Sequence, residues 1–102
     1  MDFRVLLYYC YTHIEDPEAF REQHHRLCLD LNLRGRIIVA EEGLNGTVSG
    51  RVADCEAYMQ AVKADGRFAA LEFKVEEAPA HTFQKLHVRV KPEIVHVGLP
   101  AI

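Results

Sequence analysis

The chain has 102 residues, 49% of them hydrophobic and 26% charged, with a formal net charge of -3 at pH 7. That length suits one compact domain, and the balanced composition excludes a disordered tail, a collagen-like rod and a coiled coil. No apolar run approaches the roughly 20 residues that cross a bilayer. The opening Met1-Asp2-Phe3-Arg4 lacks the layout of a secretion signal. The slight acidity excludes global attraction to nucleic acid but leaves room for a local basic stripe.

Cys10, Cys28 and Cys55 are scattered, odd in number and without a CxxC pair. That pattern argues against a disulfide framework or a zinc knuckle and fits buried thiols in a reducing cytoplasm.

Phe3 to Tyr11 reads as a strand apolar on both alternating sets, Val5, Leu7, Tyr9 and Tyr11 on one and Leu6, Tyr8 and Cys10 on the other, so it belongs mid-sheet. Asp16-Pro17-Glu18 opens a helix, with Asp16 as the cap and Pro17 at the first helical position. Phe20, His24, Leu27, Cys28 and Leu31 form its inner face, and Asn32 or Gly35 ends it. Arg36 to Ala40 is a second strand. Asn45-Gly46, in the stretch Glu41 to Gly46, signals a tight hairpin turn, and Thr47 to Ser49 return as a third strand. Ser49 or Gly50 caps a second helix through about Ala64, with Val52, Cys55, Met59 and Val62 inward. Glu72 to Glu77 alternates as a fourth strand, and Phe83 to Lys91 gives a fifth, followed by Glu93 to Val97. The order β-α-β-β-α-β with an extra C-terminal strand is the α+β, split-βαβ, ferredoxin-like arrangement: an antiparallel sheet with two helices on one face. The other face is left for solvent, a ligand or another domain.

In Gln84-Lys85-Leu86-His87-Val88-Arg89-Val90-Lys91, alternation sends Leu86, Val88 and Val90 to the core. Lys85, His87, Arg89 and Lys91 then form one row with neighbours roughly 7 Å apart, a spacing able to track phosphates. An ordinary solvated face or a lysine-guarded edge reads the same way, and Glu72, Lys74 and Glu76 are candidates to pair with it. His24 and Cys28 share a helix face, but two ligands do not close a metal site, so no metal is expected. Tyr8, Tyr9 and Tyr11 can stack bases only if they reach the helix-free face. No nucleophile elbow, P-loop, HExxH or dinucleotide fingerprint is present.

The stretch Arg34-Gly35-Arg36-Ile37-Ile38-Val39-Ala40-Glu41-Glu42-Gly43-Leu44-Asn45-Gly46-Thr47-Val48-Ser49-Gly50 resembles the N-terminal domain of the rhodanese-containing tRNA uridine hydroxylases. So do Leu6-Leu7-Tyr8-Tyr9-Cys10-Tyr11 and the run Phe83 to Val95. The resemblance implies an acylphosphatase-like fold over residues 1–98. It marks Glu42, Gly43, Asn45 and Gly46 as the family's motif turn. It also implies a parent oxidoreductase of tRNA modification that makes 5-hydroxyuridine at the wobble position of certain bacterial tRNAs in an oxygen-dependent reaction. A rhodanese domain carrying the catalytic cysteine is expected to follow, with residues 99–102 starting the linker to it. No cysteine of this chain matches that residue, so no catalytic residue and no cofactor is expected here, and the chain alone should be inactive. The domain is expected to position tRNA or to brace the rhodanese domain, so the expected partners are tRNA and that domain, not a membrane. The basic row, extended by Arg34 and Arg36, is the candidate RNA surface.

Two alternatives stand beside this reading. One is a structural or dimerising module without RNA binding. The other is an acylphosphatase-type hydrolase, which needs an arginine-bearing phosphate cradle after the first strand. The loop Thr12-His13-Ile14-Glu15-Asp16 has no arginine and carries repelling carboxylates.

Overall fold

The first strand, β1 (Phe3–Tyr11), sorts the domain into two sides. Leu6 and Tyr8 are buried beneath the helices, whereas Tyr9 and Tyr11 are 63% and 59% exposed on the opposite side. The computed structural model describes residues 1–95. After β1 come α1 (Pro17–Asp30), β2 (Arg34–Ala40), β3 (Gly43–Arg51), α2 (Val52–Lys63), a 3-10 turn, β4 (Lys74–Ala78) and β5 (Leu86–Val90). The sheet order β4-β1-β3-β2-β5 is the split-βαβ order with one strand added beside β2. Among the described residues no helix is long and apolar enough to cross a membrane.

Local chemistry explains several boundaries. Asp16 Oδ1 accepts from the Ala19 amide at 3.1 Å, and Pro17 sits in the first turn of α1. Asn32 takes φ +54° just beyond the helix and turns the chain into β2. Leu6, Ile37, Val39, Leu44 and Val48 have no exposed surface, and each buried aliphatic side chain contributes about 1.5–3 kcal/mol.

Four expectations are corrected. The hairpin turn lies at Glu41–Glu42, and Gly43, Asn45 and Gly46 belong to β3. The reason is register: the observed turn pairs Val39 with Leu44 and Ile37 with Gly46 on the core side. A turn at Asn45–Gly46 would send Leu44 to the opposite face. Second, β5 runs parallel to β2, so the sheet is mixed; the other three pairings are antiparallel. Third, Arg51 occupies the start of α2 without a side-chain cap, because the Ser49 hydroxyl accepts from Thr82 N–H (3.2 Å) and bonds His81 Nδ1 (3.0 Å) instead. Fourth, β4 begins at Lys74 and β5 covers only Leu86–Val90. No strand forms over 93–95. Residues 96 and 97 of the stretch expected after β5, and the domain boundary expected at 98–99, lie outside the described residues.

The connection from β4 to β5 must travel from one edge of the sheet to the other. It crosses the helix-free side, anchored where His81 meets Ser49 and the Phe3 ring (5.0 Å between centroids). After β5 the chain turns back over the same side at the other end. There the Ile94 amide donates to Glu42 Oε2 (2.9 Å) and Asn45 Nδ2 donates to the Ile94 carbonyl (2.6 Å). The helix-free side is therefore framed at both ends by the chain itself. At the outer edge of β5, Arg21 of α1 donates from Nε to the Val88 carbonyl at 2.7 Å.

Close approach requires glycine on both strands of the hairpin. Gly35, at φ +147°, and Gly43, at φ +153°, have no room for a Cβ against the Thr47 and Cys10 carbonyls, and Gly46 lies against the Tyr8 ring. Tyr8 is bonded through its hydroxyl to Tyr58, which in turn meets His24 Nε2 at 2.7 Å. This buried chain engages the side chain that invited a metal reading.

Burial lowers the His24 pKa from 6.5 to about 4. The unfolded chain then binds a proton that the folded chain refuses, so stability is complete above pH 6.5 and is lost as pH falls through about 4. The unfolding free energy from urea titration should fall over that window by up to about 3 kcal/mol, and His24→Leu should flatten the profile. The second expectation concerns the fastening of Ile94. Glu42→Ala together with Asn45→Ala should speed exchange of the Ile94 amide at least tenfold and cost about 1–3 kcal/mol in urea unfolding. Unchanged exchange by NMR would show that these side chains do not hold the segment.

Candidate nucleic-acid interface

Pairing between β2 and β5 assembles the site. Gly35, Ile37 and Val39 lie beside Leu86, Val88 and Val90, and Ile37, Val39 and Val88 are core residues. The residues between them emerge on the helix-free side: Arg34, Arg36 and Ile38 from β2, His87 and Arg89 from β5. Arg36 is directly opposite His87, and Ile38 is opposite Arg89. The ladder continues past both ends of β5, through Gly35 N–H to the Lys85 carbonyl (2.8 Å) and Lys91 N–H to the Val39 carbonyl (2.9 Å). Lys85 and Lys91 thus keep the parity of His87 and Arg89. Arg34, Arg36, Lys85, His87, Arg89 and Lys91 all reach one face, and all are exposed.

Among the described residues, none of these six side chains is tied up in an ion pair. The expected pairing with Glu72, Lys74 and Glu76 does not occur, because β4 and β5 occupy opposite edges of the sheet. Lys74 meets Glu76 instead at 3.5 Å, and Glu77 meets Arg4 at 3.1 Å. A stripe of like charge on a chain of net charge -3 repels itself, and an anion relieves that repulsion.

Tyr9 and Tyr11 share the helix-free side, their rings 6.3 Å apart and edge to face. Tyr9 lies beside Asn45, which anchors Ile94, so the returning segment stands between the tyrosines and the basic row. Tyr8 takes no part, being buried on the helix side. Two contributors were missed from sequence: Ile38 as an apolar floor and Val95 as part of a wall. The only local signal for them was their place beside charged residues in the strand and after Pro92.

The other candidates do not form a reactive centre. Burial pushes the Cys28 thiol up to about 12 and Cys55 up to about 11, with Asp54 adding to the latter, so both stay protonated. Glu41 and Glu42 are exposed, and Glu42 is engaged with Ile94. In the loop after β1, Thr12 N–H and Ile14 N–H are bonded to the Glu42 and Glu41 carbonyls at 3.0 and 2.9 Å. Those amides are spent on the hairpin and do not cradle a phosphate.

Comparison with known proteins places the chain in a family and supports the fold. The tRNA uridine(34) hydroxylase of Cytophaga hutchinsonii is 66% identical over 98 residues, covering 96% of this chain and 31% of that protein. The proteins of the same name from Staphylococcus saprophyticus and Shouchella clausii are 56% and 53% identical, covering 97% and 96% of the chain and 31% and 30% of theirs. The chain thus spans just under a third of the length of these curated relatives. Among solved structures, the BLUF protein BlrB in its dark state has a TM-score of 0.70 at 21% identity, over 87% of this chain and 71% of that one. The BLUF structure of BlrP1 has a TM-score of 0.72 at 14% identity, over 90% and 66%. At such identities the likeness is one of fold. The resemblance read from Arg34 to Gly50 is borne out: residues 3–94 match the UPF0176 acylphosphatase-like domain, and the chain belongs to that family.

Proposed function

We propose that this chain is the tRNA-positioning domain of a tRNA uridine(34) hydroxylase, the enzyme that forms 5-hydroxyuridine at the wobble position in an oxygen-dependent reaction. The observation that carries the reading is the basic face. Residues from two separate segments, 34–36 and 85–91, are brought together by the parallel β2–β5 pairing and left without carboxylate partners. Identity of 53–66% to proteins of that name supports the substrate. The reading assigns this domain no cofactor and no catalytic residue. Chemistry falls to a rhodanese domain of the full-length protein, and the compartment is the cytoplasm, where tRNA is modified. An acylphosphatase-type hydrolase is disfavoured by the loop after β1, whose Thr12 and Ile14 amides are already bonded.

Binding of tRNA by the chain, followed by fluorescence anisotropy at rising salt, tests the proposal. Affinity should fall steeply with salt, with a log–log slope of about -0.7 to -0.9 per phosphate contact. Lys85→Glu combined with Arg89→Glu should weaken binding at least tenfold and flatten the slope by about 2. Both side chains are exposed, so the urea midpoint should hold. Wild-type affinity in the double variant would remove the basic face from the argument. A stable homodimer in light scattering with no affinity for tRNA would mark an assembly module instead.

A further inference from the structure

The basic face is not flat. Beyond Lys91 the chain doubles back and is fastened at Ile94 by Glu42 and Asn45. Between this wall and strands β2 and β5 lies a cavity of about 560 Å³, lined by Arg36, Ile38, His87, Arg89, Lys91 and Val95 among others. That volume falls in the range of small-ligand clefts, roughly 300–1,000 Å³. The lining has two chemistries. Arg36, Arg89 and Lys91 supply positive charge, and Arg89 Nη2 donates to His87 Nδ1 at 3.1 Å, which orders the pair along β5. Ile38, half-buried, and Val95, 39% exposed, supply apolar surface. A surface that only tracks phosphates needs the first chemistry and not the second.

We propose that this cavity seats one unpaired nucleotide of an RNA strand, its phosphate between Arg36 and Arg89 and its base against Ile38 and Val95. The assignment rests on the reading of this face as an RNA surface and narrows it from backbone tracking to single-strand recognition. Arg36 and Arg89 stand on adjacent strands one row apart, so strand spacings of about 5 Å across and 7 Å along bring both forks to one phosphate. The imidazole nitrogen of His87 not engaged by Arg89 is left for the ligand. Glu93 is the one carboxylate of the lining; it is exposed and is an acceptor for a base N–H. A duplex cannot enter, because its bases face inward and only its backbone meets the wall. The two side-chain bonds to Ile94 fix the wall before any ligand arrives, so its ordering cost is already met.

The test is an NMR titration of the methyl-labelled chain with a twelve-nucleotide single-stranded RNA, a blunt duplex of the same length, and tRNA. The Ile38 and Val95 methyl resonances should shift with the single strand and stay in place with the duplex. Val95→Glu should weaken single-strand binding about tenfold or more and leave duplex binding within about threefold, while Val95→Ile should bind as the wild type does. The exposure of Val95 makes the variant safe to fold, and a urea midpoint verifies it. Equal affinity for single strand and duplex with unmoved methyls would overturn the cavity assignment while tRNA binding kept the broader reading. No binding to any of the three RNAs would overturn both.

Discussion

The register of the β2–β3 hairpin governs everything built on the sheet. A two-residue turn at Glu41–Glu42 places Val39 beside Leu44 and Ile37 beside Gly46, so the apolar residues of both strands share the core. Strand parity then leaves Arg34, Arg36 and Ile38 on the other side. β5 joins β2 in the register that continues this division, Ile37 beside Val88 and Ile38 beside Arg89. A slip of one residue would bury guanidinium groups and expose the core. The basic face is thus a by-product of packing the hydrophobic side, and it is as stable as that packing.

The residues of the sequence motif act on the fold at three different points. Gly43 lets the hairpin close against the Cys10 carbonyl, and Gly46 makes room for the Tyr8 ring. Glu42 and Asn45 reach along the opposite side to hold both polar groups of Ile94. One short stretch therefore joins the helix side to the helix-free side. Its glycines accommodate an aromatic and a carbonyl, and its polar side chains fasten a distant piece of chain.

Much of this was legible in the order of residues, where the determinants are local. The cap at Asp16, the end of α1 at Asn32, and the alternation of β1 and β5 depend on neighbours within a few positions, and the structure shows each of them. The Asn45-Gly46 turn signal failed because the burial of Leu44 outweighs a local preference for positive φ. The acidic row around Lys74 was given the wrong partner because charge pattern carries no information about which edge a strand occupies. The hold on Ile94 was beyond reach: its partners are 49 and 52 positions away, and neither residue type announces such a bond.

Arg21 gives the outer border of β5 a further property. Its guanidinium covers the Val88 carbonyl at the middle of a margin that pairs with no further strand among the described residues. A second polypeptide arriving alongside to lengthen the sheet would have to evict a charged group before making its first ladder bond. The contact works against edge-to-edge growth of the sheet on the flank that carries the cations.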